Sequence, residues 1–287
     1  MHNDLFSNPI FNFLAVTIVL ALPLLLGAMG GLTSERSGVI NIGLEGMMLI
    51  AACACSLAGQ KHGPIAGLAA GIFAAIILAL LHWLMTQVYR IDHVISGMAI
   101  NAFGAGGSNF LFNRFYDTTQ SASSPMLPIW IYKWIAFLVP IGMWIYLKKT
   151  RGGLHLMAVG NDPDKARLVG IQPLKVRFVA LLATGIFTGL GGVALVTDTG
   201  IFTDDMTAGK GYIALAALIL GGWRPIPAML ACIGFAFFSA LRLQLEGNQH
   251  LPQIPSEAWS SIPYLVTIIA LAGLLGKTKA PAGLGKP

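Results

Sequence analysis

A chain of 287 residues that is 55% hydrophobic and only 10% charged has too little polar surface to meet water as a soluble globule, for which a charged share of about 25% is ordinary. The net charge of +6 points to neither a nucleic acid nor an acidic substrate, because the basic residues collect in a few loops between apolar runs. A soluble enzyme is thereby excluded. Runs of about 17 to 25 apolar residues fit helices crossing a hydrocarbon core, whereas a barrel would show alternating segments of about ten.

The composition predicts an all-α, polytopic transmembrane helix bundle forming a single domain over 1–287. About nine spans are expected, at 10–31, 38–59, 64–88, 94–112, 128–147, 178–197, 206–222, 226–245 and 258–276. The first run is too long for a signal-peptide core, follows no basic segment and lacks a small-residue cleavage pattern, so it reads as a retained span. Glycine interrupts the second and seventh, and one or both are expected to be broken or re-entrant. Cys53, Cys55 and Cys232 lie in apolar runs without zinc-site or disulfide spacing and read as small buried residues.

Within the second span, Asn41 and Glu45 are four residues apart and are expected to share one helix face. A carboxyl group in a span normally looks into a bundle interior or a water-filled cavity. Glu45 is therefore either a substrate-pathway residue or an acceptor for backbone freed where Gly43 and Gly46 break the helix. Glu35 and Arg36 are given a structural role, pairing with each other or with loops. His82 needs no special explanation, and His93 beside Asp92 reads as a solvated pair in a turn. In the fourth span Asn101 and Asn109 can share a face, bonding a polar solute or a neighbouring helix. The glycines of 103–108 and 188–192 suit close helix packing in lipid.

The longest polar insertion, 148–177, carries seven basic residues, Lys148, Lys149, Arg151, Lys165, Arg167, Lys175 and Arg177. Lys277, Lys279 and Lys286 follow the last span. The positive-inside rule places both regions in the cytoplasm, and counting back over five spans puts the N-terminus outside. The outer loops then hold Asp117, Asp198, Asp204, Asp205, Glu246 and Glu257. Inside the insertion, Asn161 or Asp162 can cap a helix over 163–169, Pro163 suits its first position, Asp164 complements its dipole and Gly170 can end it. A helix that short is marginal alone, so it is either part of a solvated loop or a docking element for a cytoplasmic partner. Trp223 beside Arg224 reads as an interfacial anchor.

Three stretches carry a resemblance. The run Glu35-Arg36-Ser37-Gly38-Val39-Ile40-Asn41-Ile42-Gly43-Leu44-Glu45-Gly46-Met47-Met48 resembles the opening of permease subunits of ABC importers for nucleosides or simple sugars that use a lipoprotein binding component. These permeases belong to the wider branched-chain amino acid and ribose permease family. The run 156–171 resembles that family's cytoplasmic coupling segment, and 209–223 its late glycine-rich span. The likeness covers nearly the whole chain, in the expected order. It implies a permease subunit in a bacterial inner membrane, forming the pathway for a small polar solute, most simply a nucleoside or a ribose-like sugar. Asn41, Glu45, Asn101 and Asn109 are the candidate pathway residues. Gly160, Asp162, Pro163, Asp164, Ala166 and Gly170 are the candidate coupling residues, and Lys165 and Arg167 make this coupling helix more basic than the family pattern.

The implied partners are a cytoplasmic ABC ATPase, a second related permease or another copy of this chain, and an extracytoplasmic substrate-binding lipoprotein. No phosphate-binding loop of the Gly-x-x-x-x-Gly-Lys-Ser/Thr type occurs in the sequence. ATP and Mg are thus expected to be used by the ATPase, with no cofactor or metal bound by this chain and no catalysis of its own. The competing reading is an autonomous secondary transporter with Glu45 as its proton site. An intramembrane protease finds no suitably placed serine–histidine pair and no His-Glu-x-x-His zinc motif.

Overall fold

The structure is a computed structural model that describes residues 9–116, 126–246, 265 and 279–286. Ten α-helices follow one another among these residues: α1 Pro9–Arg36, α2 Leu44–His62, α3 Pro64–Trp83, α4 His93–Phe115, α5 Ile129–Lys149, α6 Arg151–Asn161, α7 Pro163–Leu168, α8 Pro173–Thr199, α9 Lys210–Leu220 and α10 Pro225–Glu246. α3 runs on into a π-helical turn, Leu84–Val88.

Five of these helices are long and apolar enough to cross a membrane, namely α1, α3 with its π turn, α5, α8 and α10. α2 and α4 occupy the second and fourth expected spans but are richer in glycine and polar side chains. α9, with eleven residues, rises only about 16 Å, roughly half the hydrocarbon thickness. The expected ninth span, 258–276, lies outside the described residues.

α1 is the hub. Its stretch from Ala21 to Leu32 is buried where the helix packs against α8, α10, α9 and α5. α2 is held between α3, α4 and α8. The α2–α4 crossing is set by two glycines, because a Cβ on Gly104 would stand 2.5 Å from the Gly46 Cα. Only hydrogen at both positions lets the backbones meet, the close approach that drives helix association in lipid. α5 carries Trp130, Trp134 and Trp144 exposed on its outer side, where amphipathic rings suit a membrane interface. Cys53, Cys55 and Cys232 are free and buried.

α1 runs on to Arg36 and α8 begins at Pro173, each five residues beyond the expected span, and two helix starts and one further helix differ in ways that shape the site. α2 starts at Leu44 rather than at residue 38: residues 37–43 form a turn, with Gly38 at φ +94° and the Asn41 Oδ1 accepting the Gly43 N–H at 3.0 Å. Such an Asx turn competes with helix. Asn41 therefore precedes α2, and the expectation that it shares a helix face with Glu45 is corrected. α9 starts at Lys210 rather than at 206, after a turn that ends in Gly209 at φ +81°. Residues 151–161, read as loop, form the amphipathic helix α6, capped by the Thr150 hydroxyl on the Gly153 N–H at 3.1 Å.

Candidate functional site

The late start of α2 and the short length of α9 leave two helix N-termini inside the bundle, and both are met by side chains from the 41–101 region. Glu45, in the first turn of α2, does not serve the backbone of its own helix. Its carboxylate reaches α9, where Oε1 accepts the Gly209 N–H at 2.7 Å and Oε2 the Gly211 N–H at 2.5 Å. A carboxylate is well placed there, facing unsatisfied N–H groups and the positive end of a helix dipole. The Lys210 ammonium is turned to the Met206 and Thr207 carbonyls, 3.3 Å from each.

Asn101 closes the same layer from α4. Its Oδ1 accepts the Gly46 N–H at 2.8 Å, and its Nδ2 donates to the Ile42 carbonyl at 3.0 Å and to the Tyr212 hydroxyl at 2.8 Å. Asn101 lies eight residues into α4, roughly 12 Å from the start of that helix. Glu45, Asn101 and Tyr212 thus tie α2, α4 and α9 together at one level, with Tyr212 46% exposed. Asn41 lies below them, buried, with its Nδ2 4.0 Å from the Met47 sulfur.

Asn109 lies two turns further along α4 and belongs to a separate cluster. Its Nδ2 donates to Asp204 at 2.7 Å, and its Oδ1 accepts from Asn113 at 2.9 Å. Asn101 and Asn109 therefore hold different ends of the 204–212 stretch. Between them the exposed residues of α4 are Ala102, Phe103, Ala105 and Gly106, so that two amide groups bound a stretch in which Phe103 alone has bulk.

At the other end of the turn 37–43, α6 is followed directly by α7. Asp162 is the cap of α7: its Oδ1 accepts the Lys165 N–H at 3.0 Å, with Pro163 at the first helical position. That backbone bond, helped by the Lys165 ammonium 3.1 Å from Oδ2, holds the Asp162 carboxyl below the usual carboxylate range. Arg167 pairs with Asp164 at 3.3 Å. Ala166 and Pro163 face inward, and Gly170, at φ +83°, follows the helix. Gly160 ends α6 against the α1 terminus, where a Cβ would collide with the Arg36 carbonyl.

Comparison with known proteins decides the family. The branched-chain amino acid transport system / permease component family matches residues 13–271. The chain belongs to that family. It is 34% identical to the guanosine ABC transporter permease protein NupQ of Bacillus subtilis, over 94% of each chain. It is 33% identical to the nucleoside ABC transporter permease protein NupC of Lactococcus lactis, over 97% of this chain and 96% of the relative. The putative glucose ABC transporter permease protein TsgC13 of Haloferax volcanii is 27% identical over 93% and 92%.

Several residues that matter to this permease escaped the sequence reading. Trp223 is not an anchor in the interface: it is 6% exposed, its Nε1 donates to the buried Glu35 carboxylate at 2.5 Å, and its carbonyl accepts from Arg36 Nε at 2.6 Å. Glu35 and Arg36 thus meet at one tryptophan that ties α1 to the start of α10. His82 is buried, bonded to Ser96 at 2.7 Å and to the Ile40 carbonyl at 3.0 Å. His93, also buried, takes the Ile40 N–H at 3.2 Å while Asp92 caps α4, so the solvated His93–Asp92 pair is corrected as well. The two histidines grip the 37–43 turn, and only the unexpected polarity of two helix ends hinted at it.

Arg177 is 2% exposed and counted at first only as topology-setting charge. Its guanidinium serves three neutral oxygens: the Ser37 carbonyl at 3.2 Å, Gln87 Oε1 at 2.6 Å and the Lys286 carbonyl at 2.8 Å. No single-residue pattern could have announced it, since its partners, two backbone carbonyls and the Gln87 side chain, are far away in sequence.

Proposed function

We propose that this permease is the membrane-embedded subunit of an ABC importer for nucleosides. The observation that carries the reading is end-to-end similarity, at 33–34% identity, to permeases named for guanosine and nucleoside transport. The more distant likeness to a putative glucose permease leaves a sugar ring as the feature that these named solutes have in common. A separate ATPase, using ATP and Mg, drives transport, a substrate-binding lipoprotein delivers the solute from outside, and a second related permease or another copy of this chain completes the pathway. The chain lies in a bacterial inner membrane.

In this reading the chain makes nine spans, with α2 and α9 beginning within the membrane, the N-terminus outside and the 148–177 segment in the cytoplasm. The solute moves along the exposed side of α4. Asn101 with Tyr212 and Asn109 with Asp204 offer amide, phenol and carboxylate groups that can exchange their mutual hydrogen bonds for those of ribose hydroxyls or base edges. Asn41 and Glu45 act from behind that surface by fixing the helix ends that frame it. α7, with Gly160, Asp162, Pro163, Asp164, Ala166 and Gly170, docks on the ATPase. Its closure favours one of two permease conformations, which is how a partner with differential affinity shifts such an equilibrium.

The test is uptake of labelled guanosine and labelled glucose by cells expressing the chain with its ATPase and binding lipoprotein, compared with a hydrolysis-dead ATPase. Guanosine uptake that disappears with the dead ATPase is expected. Uptake that persists sinks the ABC reading, and glucose uptake alone moves the substrate to sugars.

A further inference from the structure

The stretch 279–286 offers little to a sequence reading: it is short, rich in glycine and proline, and lies beyond the last apolar run. In the structure it is folded back on the polar end of the bundle and stitched into three other elements. The Gly283 N–H donates to the Gly160 carbonyl at 2.9 Å, at the end of α6. The Gly285 N–H donates to the Gly38 carbonyl at 2.9 Å, in the turn that precedes α2. The Lys286 carbonyl takes one arm of Arg177, whose Nε is committed to the Ser37 carbonyl. Gly285 has φ +80°, a backbone that disfavours side chains, and its position is fixed against Ile40.

These bonds fasten a contact between two sites at which Gly160 already packs on Arg36 and Gly38. On one side are α6 and α7, the elements proposed to meet the ATPase. On the other is the turn 37–43, whose Ile40 is held by His82 and His93 and whose far end delivers Gly43, Glu45 and Gly46 to the layer with Asn101, Tyr212 and α9. From Gly160 the hydrogen-bonded route runs through Gly283 and Gly285 to Gly38, then along the turn to Glu45 and the N-terminus of α9. Arg177 braces this route from below. A guanidinium can satisfy three acceptors set around its plane, whereas an ammonium is a point donor. Because its acceptors are neutral oxygens and it is buried, every one of them is needed to offset its lost hydration.

The adjoining space fits a moving part. A cavity of about 360 Å³ lies between α7 and this brace, lined by Gln87, Arg90, Asp164, Arg167, Arg177 and Lys286. The 283–286 segment thus touches α7 at Pro163, beside Gly283, and is separated from Asp164 and Arg167 by the cavity, so that a shift of α6 and α7 is carried through Pro163 and the Gly160–Gly283 bond.

We infer that residues 283–286, held by Arg177, clamp α6 onto the turn 37–43 so that movement of the α6–α7 elements reaches that turn and the Glu45–Asn101 layer, with Arg177 a positioning residue for ATP-driven transport. This rests on the ABC-importer reading given above. Coupling is read directly, as solute moved per ATP hydrolysed.

The complex of permease, ATPase and binding lipoprotein is reconstituted in vesicles, and ATP hydrolysed is measured against labelled guanosine moved. Gly283→Pro removes the N–H that reaches Gly160, Arg177→Lys removes the fork, and Gly142→Ala, at an open position, serves as the control. The expected result for the first two is retained ATP hydrolysis with transport per ATP lowered about tenfold, a change of ordinary size for coupling between sites. A parallel fall in both activities, or no change in their ratio, overturns the inference. Because a variant can also fail to assemble, amide exchange is measured on the wild-type complex with and without vanadate trapping of the ATPase. Altered protection of the Gly283 and Gly285 amides together with that of 37–43 is expected, and unaltered protection overturns the link. Wild-type uptake with the hydrolysis-dead ATPase separates these outcomes from failure of the importer reading.

Discussion

Glu45 and Gly211 are 166 positions apart in sequence and are joined by a 2.5 Å hydrogen bond from backbone N–H to carboxylate. With the companion bond at Gly209, this makes Glu45 the cap of a helix to which it does not belong. Glu45→Ala leaves two N–H groups without an acceptor in a water-poor site, at about 1–3 kcal/mol for each buried donor. Glu45→Gln keeps one acceptor oxygen. Thermal unfolding of the purified permease should rank wild type above the glutamine variant and that above alanine, and uptake should follow the same order. A glutamine variant of wild-type stability with no uptake at all would instead favour Glu45 as a proton carrier.

The Gly46–Gly104 crossing predicts a contrast between neighbouring glycines of α4. Gly104→Ala drives a methyl into the α2 backbone, and overpacking of this kind costs about 1–3 kcal/mol. Gly106→Ala meets open space and should leave the melting temperature unchanged. Equal effects of the two substitutions would mean that α4 does not lie on α2 in this register.

Much of this was legible in the sequence, for reasons that particular residues make plain. Asp162 and Pro163 mark a helix start through local chemistry alone, so α7 was expected within a residue of where it lies. The long apolar runs gave α1, α3, α5, α8 and α10 in the same way. The interior of the site was less legible. Glu45 could be recognised as a carboxylate in need of partners, but nothing local could say that they would be Gly209 and Gly211, since that pairing exists only after α9 has packed against α2. Trp223 and Arg177 look like surface residues by type and neighbourhood, and the interior acceptors that bury them come from other helices. α6 was missed because Gly152, Gly153 and Gly160 lower helix propensity, a cost outweighed by packing on α5 and α8.

The buried pair Glu35–Trp223 should show energetic coupling. Trp223→Phe removes the donor and leaves the carboxylate short of a partner, and Glu35→Leu removes the acceptor and leaves the indole N–H without one. A double-mutant cycle followed by thermal unfolding should give an interaction energy of about 0.5–3 kcal/mol, the usual range for groups in direct contact. Additive losses would show that the two side chains do not bond.

Asp162 predicts how α7 responds to substitution and to acid. Its folded carboxyl titrates below the ordinary range, through the Lys165 N–H and then the Lys165 ammonium. The cap is therefore complete above the unfolded carboxylate pKa and is lost only as pH falls through the lower, folded value. Coupled ATP hydrolysis should accordingly show no loss from this group across the neutral range. Asp162→Asn, which still offers an acceptor oxygen, should keep most of the binding-protein-stimulated ATPase activity, and Asp162→Ala should lose more of it. A sharp loss of stimulation at neutral pH that is abolished by the asparagine variant would contradict this assignment.

The hub position of α1 bears on how the chain is made. Its inner stretch is covered by α8, α9 and α10, which leave the ribosome long after it has been inserted. For most of synthesis α1 must wait in lipid with its final neighbours missing, and the Gly38 carbonyl waits longer still, until residue 285 has been added. Native packing of the first helix is thus among the last events of biogenesis, and a nascent chain halted after α7 would hold α2 against α3 and α4 but leave α1 with α5 and without α8, α9 and α10.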